Sequence, residues 1–157
     1  MSMIIRDAKL SDYKSLCQIF ALCNQLHCNL RPDYYREVNP IISRKDFILA
    51  VIAQNFESGR NRVTLKLAES EGSIVGAAFA VSVSRRPLGW SIHTKEACID
   101  NIVVLPRYRR QGVGRSLLDA VQDWAKASGH EYLFGKIVDS NTESKAFFSD
   151  AGLRTCS

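Results

Sequence analysis

The chain lacks the paired cysteines that mark zinc or disulfide sites. Its 157 residues include five cysteines, an odd number, and no two of them form a C-x-x-C pair. Cys17, Cys23 and Cys28 follow one another at intervals that suit neither zinc ligands nor a disulfide framework. We therefore expect reduced thiols that pack as small apolar side chains. A catalytic cysteine would need a histidine partner, and nothing in the sequence marks one of the three histidines for that role.

Long apolar runs are also missing, and no leader segment is expected. No run approaches the ~18 apolar residues that cross a bilayer, and the opening MSMIIRDAKLSDYK carries charges too early for a signal peptide. The expectation is a cytoplasmic protein with no membrane partner. Apolar residues make up 46% of the chain and charged residues 24%, as in globular proteins. The length predicts one domain over residues 1–157.

Positive charge is in modest excess, and much of that excess is local. The formal net charge is +5 at pH 7. Four arginines lie within nine residues, whereas the rest of the chain mixes signs; they are Arg107, Arg109, Arg110 and Arg115. A nucleic-acid-binding protein would spread basic residues along one face. The cluster instead favours a compact anion such as a phosphorylated small molecule, and nucleic acid is not an expected partner.

Hydrophobic periodicity predicts a single α/β domain without internal repeats. The predicted order is strand, two helices, three strands, helix, strand, helix. Strands are expected at Met3–Arg6, Val63–Glu69, Ile74–Val83, Ala97–Leu105 and Tyr132–Val138. Helices are expected from a cap at Ser11 to about His27, from a cap at Ser43 to about Phe56, at Gly112–Ala127 and at Thr142–Asp150. Pro87 and Gly89 are expected to break the chain after the third strand.

The stretch RRQGVGRSLL, from Arg109 to Leu118, places two glycines where a helix begins. It lacks the lysine of a Walker loop, and Leu117 stands where a dinucleotide fingerprint needs its third glycine. The first-turn N–H groups of a helix have no partner within the helix, and they attract anions. Two readings stay open at this point. The loop binds a diphosphate, or it is a tight turn with solvated arginines.

Two segments resemble the GNAT superfamily of acetyl-CoA-dependent N-acetyltransferases. They are IDNIVVLPRYRRQGVGRSLL, from Ile99 to Leu118, and NTESKAFFSDAGL, from Asn141 to Leu153. The opening Ile5–Asp12 is also similar to the first strand and helix of that family. The resemblance implies an α/β fold with a mixed, mostly antiparallel central sheet, splayed parallel strands and flanking helices. Only five residues follow Gly152, so this sheet is expected to lack its last strands or to be completed by a partner subunit in a homodimer.

The resemblance also implies acetyl-CoA as co-substrate, without a metal. In the family, backbone amides of the R-x-x-G-x-G turn hold the pyrophosphate, and the strand before it pairs with the pantetheine arm. The matching turn positions are Arg109, Arg110, Gln111, Gly112, Val113 and Gly114, with Arg115 reaching phosphate. The matching strand positions are Ile102, Val103 and Val104, and Asn141 matches an asparagine that contacts the coenzyme. Phe148, also placed at the coenzyme, stands where many members carry a tyrosine that protonates the departing thiolate.

The implied chemistry is direct attack of a primary amine on the thioester. Asp100 and Glu96, four residues apart on one strand, are the candidates for removing the proton of the amine; a solvated strand edge or an ion pair is the alternative for each. The N–H group of Val104 is expected to donate to the thioester oxygen. Because Phe148 cannot donate a proton, a non-catalytic acyl-CoA-binding or sensor domain is the alternative function.

The acceptor is not predicted beyond an amine of a small molecule or a peptide. The first two helices cap the acceptor side of the cleft in relatives, so four rings are candidates for lining it. They are His27, His93, Tyr34 and Tyr35, and each can equally be an ordinary half-buried ring. Acceptor specificity is expected to come from the loops Asn29–Ile42 and Ser84–Thr94.

Overall fold

The computed structural model describes residues 2–37, 49–50, 52–53, 62–83 and 95–155. Within them, one five-stranded sheet has its strands in sequence order. The strands are β1 (Met3–Asp7), β2 (Val63–Ser70), β3 (Ser73–Val83), β4 (Glu96–Val104) and β5 (Tyr132–Gly135). Neighbouring strands run antiparallel except β4 and β5, which are parallel. The predicted mixed, mostly antiparallel sheet is confirmed.

Helices cover both faces of the sheet. They are α1 (Tyr13–Leu30), which follows a 3₁₀ turn at Leu10–Asp12, α2 (Val113–Ala127) and α3 (Thr142–Asp150). Residues 49, 50, 52 and 53 are also helical, as predicted; the rest of the helix expected from Ser43 to Phe56, and the break expected at Pro87 and Gly89, lie outside the described residues. No helix in the described ranges is long and apolar enough to cross a membrane.

The two faces of the sheet carry separate cores. On one face, Leu16, Ile19 and Phe20 of α1 pack with sheet residues that include Leu67 and Val103. On the other, α2 packs with sheet residues; this second core contains Val75, Ala78, Ile99, Leu117, Leu118 and Val121. The burial of α2 recurs at helical spacing because an amphipathic helix presents one stripe to the sheet. α3 joins the second core through Phe147 and Phe148.

The start of α1 differs from the predicted cap at Ser11. Ser11 lies within the 3₁₀ turn, and the helix begins at Tyr13. The polar anchor here is Asp12, which is buried and accepts two hydrogen bonds from the guanidinium of Arg6, at 2.8 and 2.9 Å, and one from the N–H of Lys9, at 2.7 Å. The Arg6 guanidinium holds the pKa of the Asp12 carboxyl below its usual value. The Asp12 side chain makes no capping hydrogen bond to α1 and instead ties the turn to β1 through Arg6.

The parallel pair separates halfway along β4. β5 pairs with β4 only from Glu96 to Ile99, and it ends at Gly135 rather than at the predicted Val138. Asp100 is an extra residue in β4, because Phe79 of β3 pairs with Asn101 while the next β3 residue pairs with Ile99. Such a bulge bends the strand that carries it. The predicted splay of the parallel strands is confirmed, and β5 is the last strand in the part of the chain that is described.

Candidate active site

The splay opens a cleft of about 560 Å³ beside the second half of β4. Its walls come from the end of α1, the β4 segment from Ile99 to Val104, the turn before α2, the chain after β5, and α3. Segments far apart in the sequence therefore meet in one cavity. The cleft contains most of the residues that the sequence proposed for coenzyme binding.

On the side of β4 that faces away from β3, the backbone N–H and C=O groups of every second residue point into the cleft. Leu105 donates its N–H to the carbonyl of Val75 in β3, at 2.9 Å, and the Val103 carbonyl lies against Gly76 of β3. Because successive residues of a strand point their polar groups to opposite sides, those of Ile102 and Val104 point away from β3. The splay leaves them without a strand partner in β5. This edge of β4 suits a ligand that is itself peptide-like.

The turn before α2 has a left-handed backbone at two positions. Arg110 has φ of 61° and Gly112 has φ of 83°, and α2 begins immediately afterwards at Val113. A side chain at Gly112 would meet no atom within 4 Å, so the backbone conformation, and not crowding, favours glycine there. At Gly114 crowding decides, since a Cβ atom would lie 3.2 Å from Cε2 of Phe147. Glycine is therefore favoured for different reasons at the two positions, by the backbone conformation at Gly112 and by crowding at Gly114.

The predicted turn residues divide into those that line the cleft and those that do not. Arg109, Arg110, Gly112, Gly114 and Arg115 line it. Gln111 does not: its amide donates to the Arg107 carbonyl at 2.9 Å. Val113 is buried in the core beneath α2.

Two of the cleft-lining arginines have protein partners. Arg109 donates from Nε to the Val104 carbonyl at 3.0 Å, which ties the turn to the open edge of β4. Arg115 donates to Asp119 one helical turn later, also at 3.0 Å, and both side chains are about half exposed. An exposed pair of this kind is worth well under 1 kcal/mol and is readily exchanged for another anion.

The far wall of the cleft belongs to α3. Asn141 lines the cleft and also caps this helix, since its Oδ1 accepts the N–H of Ser144 at 3.1 Å. Phe147 and Phe148 both line the cleft and meet edge to face with ring centres 5.0 Å apart. The prediction placed Phe148 at the coenzyme; the contact between Phe147 and Gly114 was missed, because sequence spacing does not show which of two adjacent rings faces the glycine.

The two candidate carboxylates lie in different places. Asp100 lines the cleft, and its Oδ2 accepts a hydrogen bond from Nδ2 of Asn101 at 2.6 Å. Glu96 pairs with Val83 and Tyr132 at the beginning of β4 and does not line the cleft. The bulge at Asp100 interrupts the strand alternation on which their predicted common face depended. The structure brings only Asp100 to the other site residues.

The second half of α1 completes the cleft with Leu22, Cys23, Leu26 and His27. The Cys23 thiol donates to Oδ1 of Asn101 at 2.8 Å, and Cys23 Sγ lies 3.9 Å from Nδ1 of His27. The His27 ring stacks on Tyr35 with centres 4.9 Å apart. Tyr34, by contrast, is 74% exposed and does not line the cleft, and His93 lies outside the described residues.

The contact between Cys23 and His27 was missed by the sequence argument, which found no histidine to partner a cysteine. Their spacing of four residues on a helix was the available signal. No group of three or more metal-binding side chains was found among the described residues.

The chain matches a known family over most of its length. The family described as "Acetyltransferase (GNAT) family" matches residues 23–153. One curated relative, "Probable N-acetyltransferase HLS1-like" of Arabidopsis thaliana, is 36% identical over 58 residues, which are 37% of this chain and only 14% of the length of the relative.

Solved structures are similar throughout the chain. A point mutant of the BH1408 protein from Bacillus halodurans has a TM-score of 0.85 at 22% identity, over 98% of this chain and 94% of that one. Glucosamine-6-phosphate N-acetyltransferase from Arabidopsis thaliana has 0.70 at 20% identity, over 100% and 95%. AAC(6')-Iy in complex with a CoA-containing bisubstrate analog has 0.69 at 20% identity, over 100% and 94%. At these identities the likeness shows a shared fold.

Proposed function

The chain belongs to the acetyltransferase (GNAT) family, and from that premise we propose that it transfers the acetyl group of acetyl-CoA to a primary amine by direct attack of the amine on the thioester. The observation that carries the proposal is the cleft itself. It joins a strand edge that has no partner strand in β5, at Ile102 and Val104, to a helix N-terminus bordered by arginines.

The geometry supports one direction for the coenzyme. The turn from Arg109 to Gly114 offers helix N–H groups and positive charge to the pyrophosphate. From there the pantetheine arm runs along β4 towards the bulge and pairs with the polar backbone groups of Ile102 and Val104. This direction brings the thioester to the end of the cleft where Asp100 and Asn101 of β4 face α1. Phe147 and Phe148 form an apolar wall beside the arm.

The proposed reaction needs an oxyanion donor and a proton acceptor. The N–H group of Val104 faces the cleft and supplies the proposed donor to the thioester oxygen; such donors commonly contribute 10²- to 10³-fold in rate. Asp100 and Glu96 stay the carboxylate candidates for removing the proton of the amine. Of these two carboxylates, Asp100 is the one that lines the cleft, where its negative charge also attracts an ammonium group. The departing thiolate is released as such or takes its proton from water or another donor, since the ring of Phe148 carries no hydroxyl.

The first experiment is a calorimetric titration of the full chain with acetyl-CoA, with ATP and dephospho-CoA as comparison ligands. We expect micromolar binding of acetyl-CoA and no comparable binding of ATP, which has phosphates but no pantetheine arm. Release of free thiol in the presence of an amine panel then establishes transfer. Binding without thiol release from any amine would favour the acyl-CoA-binding domain, and no binding at low salt would refute the proposal.

The acceptor, the cytoplasmic location and a homodimer stay proposals. A dimer is physically reasonable because β5 is an edge strand of the described sheet and Tyr132 on it is 60% exposed. Sedimentation velocity over a range of protein concentrations tests it, and a monomer at every concentration refutes it.

A further inference from the structure

A continuous chain of polar side chains crosses the cleft from β4 to α1. It runs from Asp100 to Asn101, from Asn101 to Cys23, and from Cys23 to His27, with successive distances of 2.6, 2.8 and 3.9 Å. All four residues line the cleft. The chain lies at the bulge, where the proposed function places the thioester.

The directions of these hydrogen bonds follow from what each group can donate. An ionised carboxylate only accepts, so Asp100 requires the Nδ2 amide group of Asn101, and the Oδ1 atom of Asn101 is then turned towards Cys23. A thiol has a single hydrogen, and Cys23 gives it to that oxygen. The sulfur can therefore only accept from His27. This requires the neutral imidazole to carry its proton on Nδ1 and its lone pair on Nε2.

We propose that His27 is the proton acceptor for the attacking amine, through Nε2, with Cys23 and Asn101 as positioning residues that hold its tautomer. This inference rests on the proposed acetyl transfer and names a residue for it. Histidine is the side chain that most often accepts or donates protons in enzyme catalysis, and His27 lines the cleft. Asp100 then orients the chain and attracts the ammonium form of the acceptor.

In the proposed step one bond forms and one bond breaks. The nitrogen of the amine forms a bond to the thioester carbon, the carbon–sulfur bond breaks, and coenzyme A leaves as its thiolate with the electron pair. The proton from nitrogen passes to Nε2 of His27, and the imidazolium returns it to solvent or to the thiolate. Among the described residues, the titratable groups facing the imidazole are Cys23 of α1, Tyr35, whose ring stacks on it, and Asp100 of β4 through Asn101.

The first test reads the tautomer and needs no acceptor. Nitrogen-15 NMR of the imidazoles in the full chain, with the His27 signals assigned from a His27→Gln variant, is expected to show the proton on Nδ1. Cys23→Ala removes the sulfur acceptor and is expected to shift His27 towards the Nε2-protonated form. Cys98→Ala serves as the control, because Cys98 lies on β4 outside the cleft, and it should leave the tautomer unchanged. A wild-type His27 protonated on Nε2 would overturn the proposal.

The second test measures thiol release from acetyl-CoA with four probe amines, 2-phenylethylamine, spermidine, kanamycin and a lysine-amide peptide, between pH 5 and 9. We expect His27→Gln to lower kcat by about 10²- to 10⁴-fold, to leave acetyl-CoA affinity within about twofold, and to remove the histidine-range limb of the kcat/KM profile. His130→Gln is the matched control, since His130 contacts Ser82 and Trp124 away from the cleft.

The outcomes separate the inference from the function on which it rests. If the wild-type protein acetylates a probe and His27→Gln keeps both the rate and the limb, His27 is not the base while acetyl transfer stands. If acetyl-CoA does not bind the wild-type protein, the proposed function itself fails. If no probe is acetylated, the tautomer in the first test decides whether the positioning chain exists.

Discussion

Gly112 and Gly72 form a matched pair for testing whether the turn before α2 binds the coenzyme. Gly112 has φ of +83° and Gly72 has φ of +75°, and an added Cβ atom would meet nothing within 4 Å at either position. Gly72 lies in the tight turn between β2 and β3, and only Gly112 lines the cleft. Replacing each by alanine therefore imposes the same kind of backbone strain at two places, of which only Gly112 lines the cleft.

The magnitudes follow from that strain. Alanine in a left-handed conformation costs about 1–2 kcal/mol, so both variants are expected to lose that amount of unfolding free energy. In Gly112→Ala the backbone also relaxes away from φ of +83° and turns the first N–H groups of α2 off the pyrophosphate. One lost charge-assisted hydrogen bond, at about 1.5–3 kcal/mol, corresponds to a roughly 10- to 100-fold weaker acetyl-CoA affinity.

The assays are urea unfolding followed by circular dichroism and calorimetric titration with acetyl-CoA. We expect equal losses of stability in the two variants and a loss of affinity in Gly112→Ala alone. Unchanged affinity in Gly112→Ala, with the stability loss present, would refute the assignment of this turn to the pyrophosphate. An equal loss of affinity in Gly72→Ala would show that strain acts through the whole fold and not through the site.

Three further substitutions are expected to have distinct effects. Gly114→Ala should weaken acetyl-CoA binding in the same titration, because the new methyl group displaces the Phe147 ring from 3.2 Å. Phe148→Tyr should raise kcat in the thiol-release assay if loss of the thiolate limits turnover, since it introduces a phenolic hydroxyl at the proposed coenzyme site. Asp12→Asn should lower the unfolding free energy at pH 7 by about 2 kcal/mol, through the lost hydrogen bonds of a charged pair with Arg6.

The Asp12 effect carries a defined pH dependence. Arg6 lowers the pKa of Asp12 from its usual 3.8, so the stabilisation is complete above that value and disappears as pH falls through the lower value of the folded protein. The difference between wild type and Asp12→Asn in urea unfolding should therefore shrink between pH 5 and pH 2. A difference that stays constant over this range would contradict the role given to the pair.

For Gly114→Ala, unchanged affinity would show that Phe147 yields without cost.

The sequence alone determined the family, the order of the elements and the position of the turn before α2. These features are local: the apolar spacing of α2, its glycine entry at Gly112 and its end near Gly129 are read from neighbouring residues. The predicted splay was also correct, although it came from the resemblance and not from any pattern in β4. Boundaries were less exact, as at Ser11, because Arg6 of β1, which also bonds Glu69 of β2, reaches Asp12 in the turn.

Only the tertiary structure decided which side chains share the cleft. The bulge at Asp100 depends on how β3 pairs with β4, and it is this bulge that separates Asp100 from Glu96. Cys23 meets Asn101 across 78 positions of sequence. Such contacts are set by the packing of α1 on the sheet, since the pattern of one segment carries no information about the partner it will face. The turn before α2 could therefore be predicted from the sequence, whereas the contacts between α1 and β4 across the cleft arise only from tertiary packing.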